Sequence, residues 1–246
     1  MSLFSFGAKS ASVLWIEPHR LHTESGDRAV HSTDGLPSED DLAQALAKLP
    51  TGPTQWIVDD LMAPAVLVRD IVELPPGAEA RDAFFRWRFN QAMASDAPHA
   101  VQALALEDGA WLLAGMPEAQ RDAWVQLGMK MGRAVHVLLP RWLWLYNRLA
   151  PSRALPGMLL SLCPAPGGKY TGTLAAWGRS LSLLRQWSEP VDVDAWISER
   201  ILPSSAFLQR ENRSPQELWV WGAPNFPPTS IPLHMIQPEI PVSEAL

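Results

Sequence analysis

The sequence contains one cysteine, Cys163, so the chain forms no internal disulfide, as is typical of proteins in a reducing compartment. No apolar run approaches the ~20 residues of a membrane-spanning helix. The first 12 residues also lack the apolar core of a signal peptide. We therefore expect the chain to fold on the cytoplasmic side of the membrane.

Basic residues are few as well: 20 Lys and Arg stand against 26 Asp and Glu, which gives a net charge of −6. Nucleic-acid-binding domains normally present a basic face, so this balance argues against that class of partner. Apolar residues make up 47% and charged residues 19% of the chain. These are globular values, and they predict a sizeable core.

Recognised metal and phosphate motifs are missing too. His19, His22 and His31 lie in one region, but no cysteine or carboxylate completes a zinc-ligand spacing. The run Gly167-Gly168-Lys169 lacks both the Walker spacing and the following helix of a phosphate loop, and it predicts a hairpin turn. We predict neither a metal nor a cofactor.

Two further polar features have plain structural interpretations. Asp59-Asp60 follows a predicted strand and has the chemistry of a metal ligand or an acid–base pair, but a solvated turn is the simpler interpretation. Cys163 lies in an apolar run. We interpret it as a small buried strand residue and not as a nucleophile, because a nucleophile needs a neighbouring base.

The order of elements between residues 71 and 151 is the most informative pattern. Apolar periodicity and Pro or Gly breaks predict strand, helix, hairpin, helix, strand and helix. The predicted features are a strand ending at Leu74-Pro75-Pro76, a helix with Phe85, Phe89 and Met93 on one face, a hairpin across Glu107-Asp108-Gly109, a helix from Pro117 to Gly132, a strand over 134–139 and a helix opened by Pro140.

The flanking sequence predicts further strands and helices. Before this stretch we expect strands at 13–16, 55–58 and 66–72, two short edge strands within 19–33, and a helix capped by Ser38. After it we expect an antiparallel meander over 158–187, a helix that begins near Asp192, and a last strand at 218–221. Residues 223–246 contain six prolines and predict an extended tail that forms no helix or central strand.

This order of elements resembles the PilM family of type IV pilus assembly proteins and the cytoplasmic part of the type II secretion GspL proteins. The resemblance implies an α/β fold with mixed sheets: a reduced actin-like fold with an inserted subdomain of one helix and one hairpin. The implied organisation is a flexible segment 1–12, a first half 13–151 with the insertion at about 77–117, a reduced second half 152–222, and a proline-rich tail 223–246.

The turns that hold nucleotide in actin-like ATPases are altered here. At the first turn, Pro18 has no N–H to donate and no glycine permits close approach of the backbone. At the second, Pro164 and Pro166 remove donors and no carboxylate is present. At the third, Trp221 stands beside the single Gly222. We therefore expect a protein that is not an enzyme.

The resemblance implies a cytoplasmic scaffold that binds the cytoplasmic tail of a single-span, PilN-like inner-membrane protein. The expected groove lies between residues 78–116 and the elements around 55–75. The resemblance also allows a motor ATPase and a second copy of the chain as partners. A nucleotide-binding actin-like ATPase and an unrelated α/β interaction domain remain the alternatives.

Four residues are the candidate partner-binding residues: Arg86, Trp87, Arg88 and Trp111. The helix that carries Phe85 and Phe89 also carries Trp87 on another side, so one buried face cannot absorb all its aromatic residues. Either the helix lies between two layers, with arginines extended over an aromatic core, or Trp87 and its arginines form a contact surface. The aromatic helix that begins at Arg141 poses the same question.

Overall fold

A computed structural model describes residues 12–23, 26–30, 36–149 and 155–236. Residues 1–11 of the predicted flexible segment, the predicted boundary at 152, and the last ten residues of the predicted tail lie outside these ranges, as does His31. We call the described residues up to 149 the first half and residues 155–236 the second half.

The first half is built on a five-stranded sheet in the order β3-β2-β1-β4-β8. Its strands are β1 Ser12–Glu17, β2 Arg20–Thr23, β3 Gly26–Ala29, β4 Thr54–Val58 and β8 Val135–Pro140. The first three strands are antiparallel, while β1, β4 and β8 run parallel. The two short strands expected within 19–33 are thus β2 and β3. Of these, β3 lies at the edge of the described sheet, whereas β2 pairs on both sides.

Helices α1 Glu39–Leu46 and α3 Glu118–Lys130 pack on one face of this sheet, and α4 Arg141–Arg148 packs on the other. The predicted cap of α1 is confirmed: Ser38 Oγ accepts the Asp41 N–H at 3.1 Å, and Asp41 accepts the Ser38 N–H in return. Trp124 and Leu127 of α3 are buried, as the spacing predicts.

The inserted subdomain is a three-stranded antiparallel sheet, β5-β7-β6, covered by one helix. Its elements are β5 Ala65–Val68, α2 Ala78–Met93, β6 His99–Ala105 and β7 Trp111–Pro117. The predicted hairpin is confirmed, but the strand expected over 66–72 was wrong in extent. It ends at Val68, and it pairs with the hairpin instead of the main sheet.

The second half is a five-stranded sheet in the order β11-β10-β9-β12-β13. The predicted meander is confirmed by β9 Gly157–Ala165, β10 Lys169–Trp177 and β11 Leu181–Val191. A short 3-10 turn, Pro166–Gly168, joins the first two. Strands β12 Glu217–Trp221 and β13 Leu233–Met235 run parallel to β9 and β12 respectively. The proline-rich tail thus supplies an edge strand.

One helical segment covers this second sheet. It consists of α5 Val193–Ala195, a π-helical stretch Trp196–Ile201 and α6 Leu202–Arg210. Pro203 neither ends nor breaks the segment. It lies inside the continuous segment, directly after the wider π stretch, and the two residues before it, Ile201 and Leu202, keep right-handed helical dihedral angles. Trp196 and Ile201 of this segment are fully buried.

The two halves share an apolar core. Trp142 and Tyr146 of α4 are buried, and the Tyr146 ring lies edge-on to Trp177 of the second half with centroids 5.8 Å apart. The aromatic residues of the helix that begins at Arg141 are therefore core residues and not a contact surface, with Trp144 only partly buried. Within the described ranges, no helix combines the length and the apolar character needed to cross a membrane.

Candidate partner-binding groove and the junction between the halves

A groove of about 450 Å³ separates the inserted subdomain from the first sheet. One wall is formed by α2 and the hairpin, and the other by α3 and β8. Its lining includes Asp82, Arg86, Ala100, Val101, Gln102, Gly115, Glu118, Arg121, Val125, Val135, His136 and Leu138. The expected wall on the insertion side is confirmed. The opposite wall was predicted around residues 55–75, and that was wrong, since Ala63 is the one lining residue from that range.

Two sheet edges flank this groove. Strand β8 ends the first sheet and β6 ends the small sheet, so within the described residues each has a strand partner on one side only. An open strand edge presents unpaired N–H and C=O groups that an extended peptide can use. Both apolar and charged side chains line the space between these edges. The geometry therefore suits a segment of extended chain.

Arg86 is the one candidate residue that lines the groove. Arg121, on the facing helix, lies 3.8 Å from Glu118 and 2.7 Å from Asp122. Among the described residues, Arg86 by contrast reaches only a backbone oxygen of its own helix, Asp82 O, at 3.4 Å. Its guanidinium is therefore available for a carboxylate or carbonyl of a bound chain.

The other three candidates lie outside the groove. Trp87 is 55% exposed and packs against Phe84, with ring centroids 6.0 Å apart. Arg88 forms an ion pair with Asp70 and lies 5.7 Å from the Trp87 ring centroid. Trp111 is half-buried against Phe85. Trp87 is thus a surface residue, and the structure does not bring the four candidates together.

The three altered turns meet at the junction between the halves. Glu17 ends β1, Leu162 lies in β9, and Gly222 follows β12. Arg141, the first residue of α4, donates to Glu17 Oε1 at 2.8 Å and to Leu162 O at 3.2 Å. Gly222 has a φ of +90°, and a Cβ there would stand 2.0 Å from Leu162 O, so only glycine fits.

Asp59 and Asp60 were interpreted as a solvated turn, and that was wrong. Both are 1% exposed. Asp59 Oδ2 lies 3.3 Å from Arg141 Nη2, and Asp60 Oδ1 accepts the Trp142 N–H at 2.8 Å. Helix α4 has no cap from its own N-cap residue, Pro140, so Asp60 satisfies one of its free N–H groups from another part of the chain.

Burial raises the pKa values of Asp60 and Glu17, and the charge of Arg141 lowers them. Burial raises the pKa of Asp60 to about 6, although Arg141 opposes the shift. Burial alone would also raise the pKa of Glu17, but the hydrogen bond from His22 and the charge of Arg141 lower it to about 2. Glu17 is therefore ionised at neutral pH.

The remaining polar candidates have structural surroundings. Cys163 is 4% exposed, and burial raises the pKa of its thiol above the ordinary value, as expected of an inert core residue. His22 lies 3.1 Å from Glu17, so one of the three histidines has a carboxylate neighbour. Among the described residues, no group of three His, Cys, Asp or Glu side chains is arranged to hold a metal ion.

No protein-family model matches the sequence, and no curated protein matches it. Solved structures do match. The PilM–PilN type IV pilus biogenesis complex aligns with a TM-score of 0.56 and 15% identity over 88% of this chain and 82% of that chain. A Bacteroides thetaiotaomicron protein described as having an actin-like ATPase fold aligns with a TM-score of 0.50 and 11% identity over 89% and 85%. The chain has an actin-like fold.

A third match is the cytoplasmic domain of EpsL, an inner-membrane component of the Vibrio cholerae type II secretion system. It aligns with 14% identity and a TM-score of 0.45 over 92% of this chain and 85% of that chain. The first two likenesses confirm the actin-like α/β architecture predicted from the order of elements, and the resemblance to PilM at the level of fold.

Sequence reasoning missed the buried cluster around Arg141. Its members come from four separate stretches, at residues 17, 59–60, 141 and 161–162. One signal was present: two adjacent aspartates at the carboxyl end of an interior strand face either water or a cation. The cation is Arg141, which lies 82 residues after Asp59 in the sequence. Only the fold brings the two together.

Proposed function

We propose that this chain is a non-catalytic scaffold of a type IV pilus or type II secretion assembly platform. Its groove binds the cytoplasmic tail of a single-span inner-membrane protein. The observation that carries this proposal is the groove of about 450 Å³ between two open strand edges, β6 and β8. The likeness in fold to the PilM–PilN complex supports it, because that complex pairs a similar fold with a protein partner.

The groove favours a short tail with both apolar and acidic residues. An extended chain gains main-chain hydrogen bonds from an open strand edge and specificity from the pockets that take alternate side chains. Val101, Val125, Val135 and Leu138 offer apolar contacts, and Arg86 offers a charged donor. This proposal places the protein at the cytoplasmic face of the inner membrane, held there by its partner.

Trp87 and Phe84 form a second contact surface in this proposal, separate from the groove. Tryptophan exposed to this degree beside arginine is typical of residues that dominate interface energy. A motor ATPase or a second copy of the chain is the class of partner we assign to it. Binding and force transmission, rather than chemistry, are then the activity of the molecule.

Site-specific photocrosslinking tests the proposal in living cells. A photoreactive amino acid replaces Gln102, which is exposed in the groove, and a control replaces Glu107 at the tip of the same hairpin. We expect the Gln102 probe to capture a single-span inner-membrane protein, with the crosslink mapped to its cytoplasmic tail. Equal capture from both positions, or capture of soluble proteins only, would contradict the proposal.

A charge-reversal variant tests the same groove with the same crosslinking readout in cells. Arg86→Glu should abolish the Gln102 crosslink, because Arg86 lines the groove and, among the described residues, forms no ion pair. Arg81→Glu is the matched control, since Arg81 is an exposed arginine of the same helix that does not line the groove. A loss of crosslinking in both variants would indicate a general charge effect.

A further inference from the structure

The densest cluster of buried charge lies at the junction between the halves, apart from the groove. Arg141, Asp59 and Asp60 are each 1% exposed. Glu17 and Asp59 form ion pairs with the Arg141 guanidinium, and Asp60, which accepts the Trp142 N–H, adds a third carboxylate nearby. Burying such a group is costly unless its members pair closely, and removing one partner leaves the others uncompensated. Packing alone therefore does not explain why these charges are buried together.

The contacts of Arg141 pass from one half to the other. In the first half its guanidinium reaches Glu17 at the end of β1 and Asp59 at the end of β4. In the second half Arg141 Nε donates to Ser161 Oγ at 3.0 Å, and Nη2 donates to Leu162 O at 3.2 Å. The planar, five-donor fork of arginine allows one side chain to span strand ends of two different sheets.

A second side chain links the halves near the same place. Gln186, on β11, donates from Nε2 to Asp60 O at 3.2 Å and accepts the Ala65 N–H at 2.9 Å through Oε1. It therefore holds the loop that carries Asp60 against the second sheet. Arg141 and Gln186 fix this loop from two directions, so the junction is crossed by hydrogen bonds of the chain's own residues.

We propose that Arg141 is a built-in lock that holds the two halves closed without any bound ligand. The carboxylates of the first half orient the guanidinium, and the guanidinium then holds β9 of the second half. The lock concerns the relative position of the halves and is independent of what the groove binds. A scaffold that transmits force benefits from such a joint, because its stiffness does not vary with the concentration of a ligand.

Distance measurements between the halves test this proposal on the full chain. Spin labels are attached through Gln44→Cys in α1 and Glu211→Cys after α6, both exposed positions, while the native Cys163 is buried. The lock predicts one narrow distance distribution in this background. Adding Arg141→Ala should broaden it or add a second distance, and millimolar guanidinium chloride should restore the narrow distribution where sodium chloride does not.

Arg133→Ala is the matched control. Arg133 donates to the backbone oxygens of Leu49 and Met131, so its hydrogen bonds stay within the first half. We expect this variant to lose stability but keep the narrow distance distribution. If Arg141→Ala also kept it, with or without guanidinium, Arg141 would be a packing residue of the first half and the proposal would be overturned.

Glu17→Gln keeps the proposal testable if Arg141→Ala does not fold. Loss of the Glu17 charge weakens the orientation of Arg141, so amides of Ser161–Cys163 in β9 should exchange with solvent on the order of tenfold faster. Faster exchange confined to the first half would contradict the lock. Crosslinking from the groove is a separate readout, so failure of the lock and failure of the proposed function are distinguishable.

Discussion

Trp15 of β1 and Trp221 of β12 stack with an offset across the junction, with ring centroids 5.7 Å apart and ring planes 8° apart. Trp144 of α4 meets Trp15 edge-on at 4.7 Å. Trp15 and Trp144 belong to the first half and Trp221 to the second, and Trp221 directly precedes Gly222 of the third altered turn. The aromatic contacts and the Arg141 cluster thus occupy the same junction.

Trp15→Ala should therefore destabilise the whole chain. Trp15 is 5% exposed, and removing a buried indole costs about 3–5 kcal/mol because a cavity remains. We expect the free energy of unfolding, measured by urea denaturation, to fall by this amount. Trp15→Phe should lose less, since it keeps a ring between Trp144 and Trp221. A fall of less than about 1 kcal/mol in Trp15→Ala would show that the junction contributes little to stability.

Trp87→Ala should behave in the opposite way. Trp87 is 55% exposed, so the free energy of unfolding should change by less than about 1 kcal/mol. If the surface it forms with Phe84 binds a partner, the same change should weaken that complex roughly thirtyfold, or about 2 kcal/mol. A melting curve and a binding isotherm on one variant measure both. A large fall in melting temperature would place Trp87 in the core.

Local patterns predicted most strands and helices well. Ser38 with Asp41, the Asp108-Gly109 turn and the proline-opened helices α3 and α4 each encode their ends within a few residues. The strand at Val66 was harder. Its apolar run fits either sheet, and only the pairing of Leu67 with Leu112 decides that it joins the insertion. Sheet membership is a tertiary property that periodicity does not record.

The candidate site was only partly predictable for the same reason. The aromatic and basic composition of α2 drew attention to Arg86, yet neighbouring positions on a helix point about 100° apart, so Trp87 and Arg88 leave the groove. Strand β8 was predicted as a strand but not as an edge. Which strand ends a sheet depends on all the others, and so the second wall of the groove was misplaced.

At acid pH, Asp60 and Glu17 should change the free energy of unfolding in opposite directions. The pKa of Asp60 is raised from 3.8 to about 6, so its proton binds more tightly in the folded state. Its contribution is full below pH 3.8 and is lost as the pH rises through 6. The pKa of Glu17 is lowered from 4.5 to about 2, so its contribution is full above pH 4.5 and is lost as the pH falls towards 2.

Two variants measure these opposite slopes. Asp60→Asn should remove the decline in the free energy of unfolding between about pH 4 and 6, while its amide oxygen still accepts the Trp142 N–H. Glu17→Gln should remove the decline below about pH 4.5. Each slope corresponds to about 3 kcal/mol at most. Urea titrations at half-unit steps test this, and identical profiles for wild type and both variants would refute the assignment.

Titration with Mg-ATP should give no binding heat at micromolar concentrations. Pro18 and Pro164 remove N–H donors from two of the three turns, and the side chain of Arg141 fills the junction between them. An active actin-like ATPase in the same buffer serves as the positive control. Micromolar binding to the wild-type chain would revive the nucleotide-binding alternative and would also contradict a junction that is closed by its own side chains.

We expect the two parts of the proline-rich tail, before and after Pro232, to contribute differently to stability. Residues 223–231 carry Ala223, Phe226 and Ile231, all buried in the core of the second half. Strand β13 instead lies at the sheet edge, where Leu218 N donates to Pro232 O at 2.8 Å and Ile236 N donates to Val220 O at 2.8 Å. The first part is therefore core and the second an edge addition.

Deleting residues 232–246 should leave one cooperative unfolding transition with a loss of a few kcal/mol, because β12 keeps its parallel pairing with β9. Deleting residues 223–246 removes the buried Phe226 and Ile231 as well, and should give a product without a cooperative transition. Urea denaturation followed by tryptophan fluorescence compares the two. If the shorter deletion already lost its transition, β13 would be an integral part of the second sheet and not an edge addition.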